Sequence, residues 1–127
     1  MARQLVTTER APKAVGPYSQ AICVDGVVFV SGQLPIDPAT GDLSSAGIAD
    51  QTRQVLGNLG AILEAAGQSL ADVVKTTVYL KDMGDFAAMN EAYAESFSDT
   101  LPARACFEAT RLPKDASVMI DCIAARS

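Results

Sequence analysis

PARACFEATRLPKDASVMID, residues Pro102 to Asp121, is the stretch on which the fold turns. It reads as two strands joined by a tight loop at Pro113–Lys114. Side chains alternate between faces along a strand, so Arg104 and Cys106 point the same way. If the strands form an antiparallel hairpin around that loop, paired residue numbers sum to roughly 227 and Asp121 lies opposite Cys106. One patch would then carry a guanidinium, a thiol and a carboxylate.

Working outward, AICV (Ala21–Val24), Asp25-Gly26 and VVFVS (Val27–Ser31) predict a β-hairpin with a two-residue turn. Gln4–Thr8 predicts a first edge strand, and Gly16-Pro17-Tyr18 a turn before the hairpin. Gly32 to Gly41, with Pro35 and Pro38, reads as a loop. Ile48, Val55, Leu59, Ile62 and Ala66 recur at helical spacing, with Leu56 and Leu63 widening the stripe, and Gly67 supplies the left-handed cap. Val73–Lys81 is a strand. Asp85 is the expected N-cap of a second helix, Phe86–Phe97, whose apolar face carries Phe86, Met89, Tyr93 and Phe97.

The order is ββ, α, β, α, ββ, an α/β (α+β) domain spanning residues 1–127 with one sheet covered on one face by two helices. AICV and VVFV are apolar on both sides, which a sheet with one wet face would not be. A homo-oligomer packing its open sheet faces together is the expectation.

Composition narrows the chemistry. With 49% hydrophobic and 20% charged residues, the 127-residue chain is not disordered. A net charge of −5 and no basic run argue against nucleic-acid binding. The absence of histidine removes the usual general base, the histidine triads and histidine metal sites. Cys23, Cys106 and Cys122 are scattered and odd in number, suggesting no disulfide framework, no zinc site and a reducing compartment. No Gly-rich nucleotide motif is present. MARQLVTTER holds no apolar run that could act as a signal or anchor, and no stretch reaches membrane length, so a soluble cytoplasmic protein is expected.

Each candidate residue has two readings. Arg104 is either a solvated edge residue or a structural ion pair, with Glu108 or Asp121, or it is a bidentate fork for a small carboxylate. Cys106 is a small buried apolar residue, or a thiol that contacts a ligand; with no histidine beside it, covalent catalysis is disfavoured. Asp121, within VMIDCIA, either pairs structurally or orients a water as a base. Asn90 falls on the apolar stripe of the second helix, where it either ties that helix to a neighbouring loop or serves a site. Tyr18, Ser31 and Gly32 sit at strand ends, where pockets form.

Together GPYSQA (Gly16–Ala21), VSGQLP (Val30–Pro35), NLGAILEAAG (Asn58–Gly67), TTVYLKDMGDF (Thr76–Phe86), MNEAY (Met89–Tyr93) and PARACFEATRLPKD (Pro102–Asp115) resemble the RidA (YjgF) family across essentially the whole chain. The resemblance implies a single mixed sheet of chorismate-mutase-like fold, and a homotrimer with a central barrel and ligand clefts between subunits. It implies hydrolysis of reactive enamines and imines, such as 2-aminoacrylate and 2-iminobutanoate, to 2-keto acids and ammonia, without a cofactor or metal. By motif, Arg104 matches the arginine that holds the substrate carboxylate and Cys106 the cysteine beside it. Tyr18, Ser31, Gly32 and Asn90 match residues lining the cleft. The family's water-positioning glutamate falls on Asp121, a departure that shortens the reach by one methylene, about 1.5 Å.

Overall fold

Asp25 and Gly26 take φ of 53° and 77°, the left-handed pair that a tight two-residue hairpin turn requires. That turn joins strand β2 (Ala21–Val24) to β3 (Val27–Gln33) in a register running from Ala21↔Val30 to Val24↔Val27. The computed structural model describes residues 2–97, 99 and 101–126. A short edge strand β1 (Gln4–Val6) pairs antiparallel with β2.

Helix α1 (Ile48–Ala65) follows, and its stripe of Val55, Leu59, Ile62 and Leu63 is wholly buried. Its end is a Schellman cap: Gly67, at φ 80°, donates to the Glu64 carbonyl, and the Gln68 amide donates to the Leu63 carbonyl, both at 2.9 Å. Strand β4 (Val73–Leu80) leads to helix α2 (Phe86–Ala94). Asp85 makes no side-chain cap there. Asp82 does the capping instead, accepting the Gly84 amide at 2.7 Å in a single turn that runs into α2. The helix stops at Ala94, short of the expected Phe97, and further turns still deliver Phe97 into the core against Tyr93 at 4.7 Å between ring centroids.

Strands β5 (Ala103–Glu108) and β6 (Val118–Ala125) complete a six-stranded mixed sheet of order β1-β2-β3-β6-β4-β5. The expected closing hairpin is absent, because β4 lies between β5 and β6. β4 pairs parallel with β5, from Lys75↔Ala103 to Leu80↔Glu108, and antiparallel with β6, including Thr77↔Asp121. The cause is α2. A helix between two strands carries the chain back to the sheet's starting end, so β5 must run parallel to β4. β6 then enters the slot between β3 and β4, where it gains two ladders instead of one.

Both helices cover the same face of the sheet, over Val28, Val30, Val78, Leu80, Ile120 and Cys122. The other face is bare. A row of Leu5, Ile22, Phe29 and Ile123 crosses four strands there in direct register. Phe29 is 47% exposed and Leu5 66%. This is the two-sided apolar character that the strands carry in sequence.

Candidate functional site

Parallel register fixes where the candidate residues point. Arg104 is paired with Thr76 and Cys106 with Val78, so both lie on the helix-covered face of edge strand β5. The Arg104 Nη1 donates to Asn90 Oδ1 at 2.8 Å. Its guanidinium carbon sits 5.6 Å from the Phe86 ring centroid and 5.0 Å from that of Tyr93, a favourable stacking geometry for a cation. The Tyr93 hydroxyl is itself fixed by Thr76 Oγ1 at 2.7 Å.

Neither ion pair considered for Arg104 forms; among the described residues no carboxylate bridges to it. Glu108 instead accepts the Met83 amide at 2.9 Å. Asn90 ties α2 to β5, not to a loop. Arg104 is therefore aimed by two rings and an amide, with exposed donors left over. Beside it, burial pushes the Cys106 thiol above its ordinary range, against the opposing charge of Arg104, so the group is a neutral thiol at neutral pH.

Asp121 does not join them. Paired with Thr77 and flanked in sequence by the helix-facing Ile120 and Cys122, it points to the bare face. The hairpin geometry that set it opposite Cys106 is thus overturned: β4 and the thickness of the sheet separate the two. Asp121 Oδ2 accepts the Tyr79 hydroxyl at 2.8 Å. It lines a cleft of about 550 Å³ with Tyr18, Ser31, Gly32, Leu34 and Met119.

Several local features shape that cleft. Ser31 Oγ donates to the Ser19 carbonyl at 2.6 Å, which ties β3 to the segment carrying Tyr18. A Cβ on Gly32 would meet Met119 Sδ at 3.0 Å and Cγ at 3.2 Å, so only glycine leaves Met119 its place over bare backbone. Buried Asn58 on α1 donates to the Leu34 and Ile36 carbonyls at 3.1 and 2.9 Å and holds the cleft wall. Among the described residues no group of three or more potential ligands converges on a metal position.

The candidates thus form two half-sites on opposite faces: Arg104, Cys106 and Asn90 on one, Tyr18, Ser31, Gly32 and Asp121 on the other. Sequence reasoning missed the aromatic brace of Phe86 and Tyr93 around Arg104, and it missed Tyr79 beside Asp121. The β4–α2–β5 crossover was the signal that would have found them.

Residues 8–126 match the family described as Endoribonuclease L-PSP. A RutC family protein of Pyrococcus horikoshii is 58% identical over 122 residues, covering 96% of this chain and 97% of that protein. The chain belongs to the RidA (YjgF) family. Relatives within RidA include the human protein named 2-iminobutanoate/2-iminopropanoate deaminase, 45% identical over 96% of this chain and 89% of that one. The solved structure of E. coli TdcF with bound serine superimposes with a TM-score of 0.92 at 43% identity, covering 98% of this chain and 99% of that one.

Proposed function

We propose that the protein is an imine and enamine deaminase, hydrolysing 2-aminoacrylate- and 2-iminobutanoate-type compounds to 2-keto acids and ammonia. The observation that carries this reading is Arg104: a guanidinium stacked between two aromatic rings, oriented by Asn90 and without a carboxylate partner among the described residues. Such a group suits the carboxylate of a small 2-imino acid, which it can grip with two parallel hydrogen bonds. The name of the human relative and the serine bound to TdcF support the reaction class and the size of ligand.

One chain holds its two half-sites on opposite sides of the sheet. A homotrimer whose bare faces line a central barrel brings the Asp121 cleft of one subunit towards the Arg104 edge of its neighbour. The apolar row of Leu5, Ile22, Phe29 and Ile123 supplies the surface for that assembly.

The chemistry asks little of the protein. Arg104 anchors the carboxylate and Asp121 of the neighbouring subunit accepts a proton from the attacking water. The water oxygen bonds to C2 of the protonated imine, giving a carbinolamine. Asp121 returns that proton to the nitrogen, the C–N bond breaks and ammonia leaves, and Asp121 takes the hydroxyl proton as the carbonyl of the keto acid forms. Cys106, as a neutral thiol, lines the pocket. Tyr18 and the backbone around Ser31 and Gly32 enclose the ligand.

Keto-acid formation from 2-iminobutanoate, generated in place by a threonine dehydratase, tests the reading. Wild-type protein accelerates it and Arg104→Ala abolishes the acceleration; equal rates for the two would remove Arg104 as the anchor. No acceleration by wild type, with 2-ketobutyrate still bound, would make the protein a small-carboxylate binding module instead.

A further inference from the structure

Tyr79 is used by neither half-site, yet its hydroxyl meets Asp121. It lies on β4, where its direct partner on β6 is Met119 and Asp121 is the diagonal neighbour two residues along. Diagonal positions in an antiparallel pair are about 7–8 Å apart, beyond a short side chain but within reach of a phenol. The Tyr79 hydroxyl spans that gap and donates to Asp121 Oδ2 at 2.8 Å.

The ring is braced from the other side. Phe107, its direct partner on β5, meets it edge to face at 5.1 Å and 79°, a preferred arrangement for aromatic pairs. Three strands thus contribute one chain of contacts on the bare face: Phe107 steadies Tyr79, and Tyr79 holds one oxygen of Asp121. The hydrogen bond to Asp121, with burial, pushes the Tyr79 phenol above its ordinary range, so the hydroxyl remains a donor at neutral pH.

We propose that Tyr79 is a positioning residue for Asp121, pinning Oδ2 so that Oδ1 alone is turned to the cleft to take the proton of the attacking water. An aspartate without this tether samples several rotamers, and only a fraction of them aim an oxygen at the reacting carbon. Misplacement by about 1 Å is enough to cost a large factor in rate. The kinetic part of this inference rests on the deaminase reading; the positional part rests on geometry alone.

Tyr79→Phe removes the hydroxyl and keeps the ring against Phe107, so the fold is retained. In the coupled 2-iminobutanoate assay it lowers kcat roughly tenfold with KM unchanged. In an Asp121→Ala background the same change has no further effect, because the residue it positions is gone. A wild-type kcat for Tyr79→Phe, or an equal loss in both backgrounds, would overturn the proposal. A crystal structure of Tyr79→Phe gives a readout independent of activity: the Asp121 carboxylate leaves its single position. An Asp121 unmoved in that structure would sink the positioning role. A wild-type rate no faster than the uncatalysed hydrolysis of 2-iminobutanoate would sink the deaminase reading, with the crystal structure still deciding the role of Tyr79.

Discussion

Cys122 faces the helices from the centre of β6, and burial, with the Asp121 charge adding, pushes its thiol from near 9 up to about 12. An acid whose charged form is disfavoured keeps its proton in the folded chain after the unfolded chain has released it. Stability contributed by the neutral thiol is therefore complete below about pH 9 and falls as pH rises towards 12. Thermal unfolding across that range should show the decline, and Cys122→Ala should flatten it between about pH 9 and 10, below the tyrosine range. The same burial leaves Cys106 and Cys122 slow towards iodoacetamide at pH 8 in the folded protein and fast after unfolding. At this scale the sequence was informative about residue type and silent about company. Arg104, Cys106 and Asp121 could be singled out because a guanidinium, a thiol and a carboxylate stand out in apolar strands. Their neighbours could not, since Phe86, Tyr93 and Tyr79 look like ordinary core aromatics until the strands are placed.

Helix α1 does more than cover the sheet. Asn58, 1% exposed among apolar neighbours, spends its amide on the carbonyls of Leu34 and Ile36, which follow β3 and wall the cleft. Asn58→Ala strands two carbonyls and should lower stability by about 2 kcal/mol in urea unfolding; an unchanged midpoint would show that water replaces the amide without cost. Elements with local causes were legible. The β2–β3 hairpin follows from Asp25-Gly26, and α1 from its stripe and Gly67. The pairing of β5 was not, because the loop at Pro113–Asp115 looks like a hairpin turn while the partner that wins, β4, lies more than twenty residues earlier in the chain. Lys114 and Asp115, at φ 57° and 58°, do turn the chain sharply there. They turn it past β4, not onto β5. The reading of Asp121 opposite Cys106 failed with that pairing, whereas the crossover helix already in hand implied a parallel strand.

The whole molecule presents a covered face and a bare one, and the bare one was foreseeable from AICV and VVFV, which are apolar on both sides. What no strand pattern could reveal is that the candidate site is divided between them. That division has a genetic consequence. In the proposed ring of three, each cleft would draw Arg104 from one subunit and Asp121 from the next, so chains damaged in different halves would repair one another. Alone, the Arg104→Ala homotrimer should be inactive and the Asp121→Ala homotrimer should keep only a small residual rate. Unfolded together in equal amounts and refolded, they should recover about a quarter of wild-type turnover, since three quarters of the rings are mixed and each mixed ring holds one undamaged cleft in three. No recovery would mean that each chain works alone. In a cell carrying two such alleles, neither functional by itself, the defect would be masked by intragenic complementation.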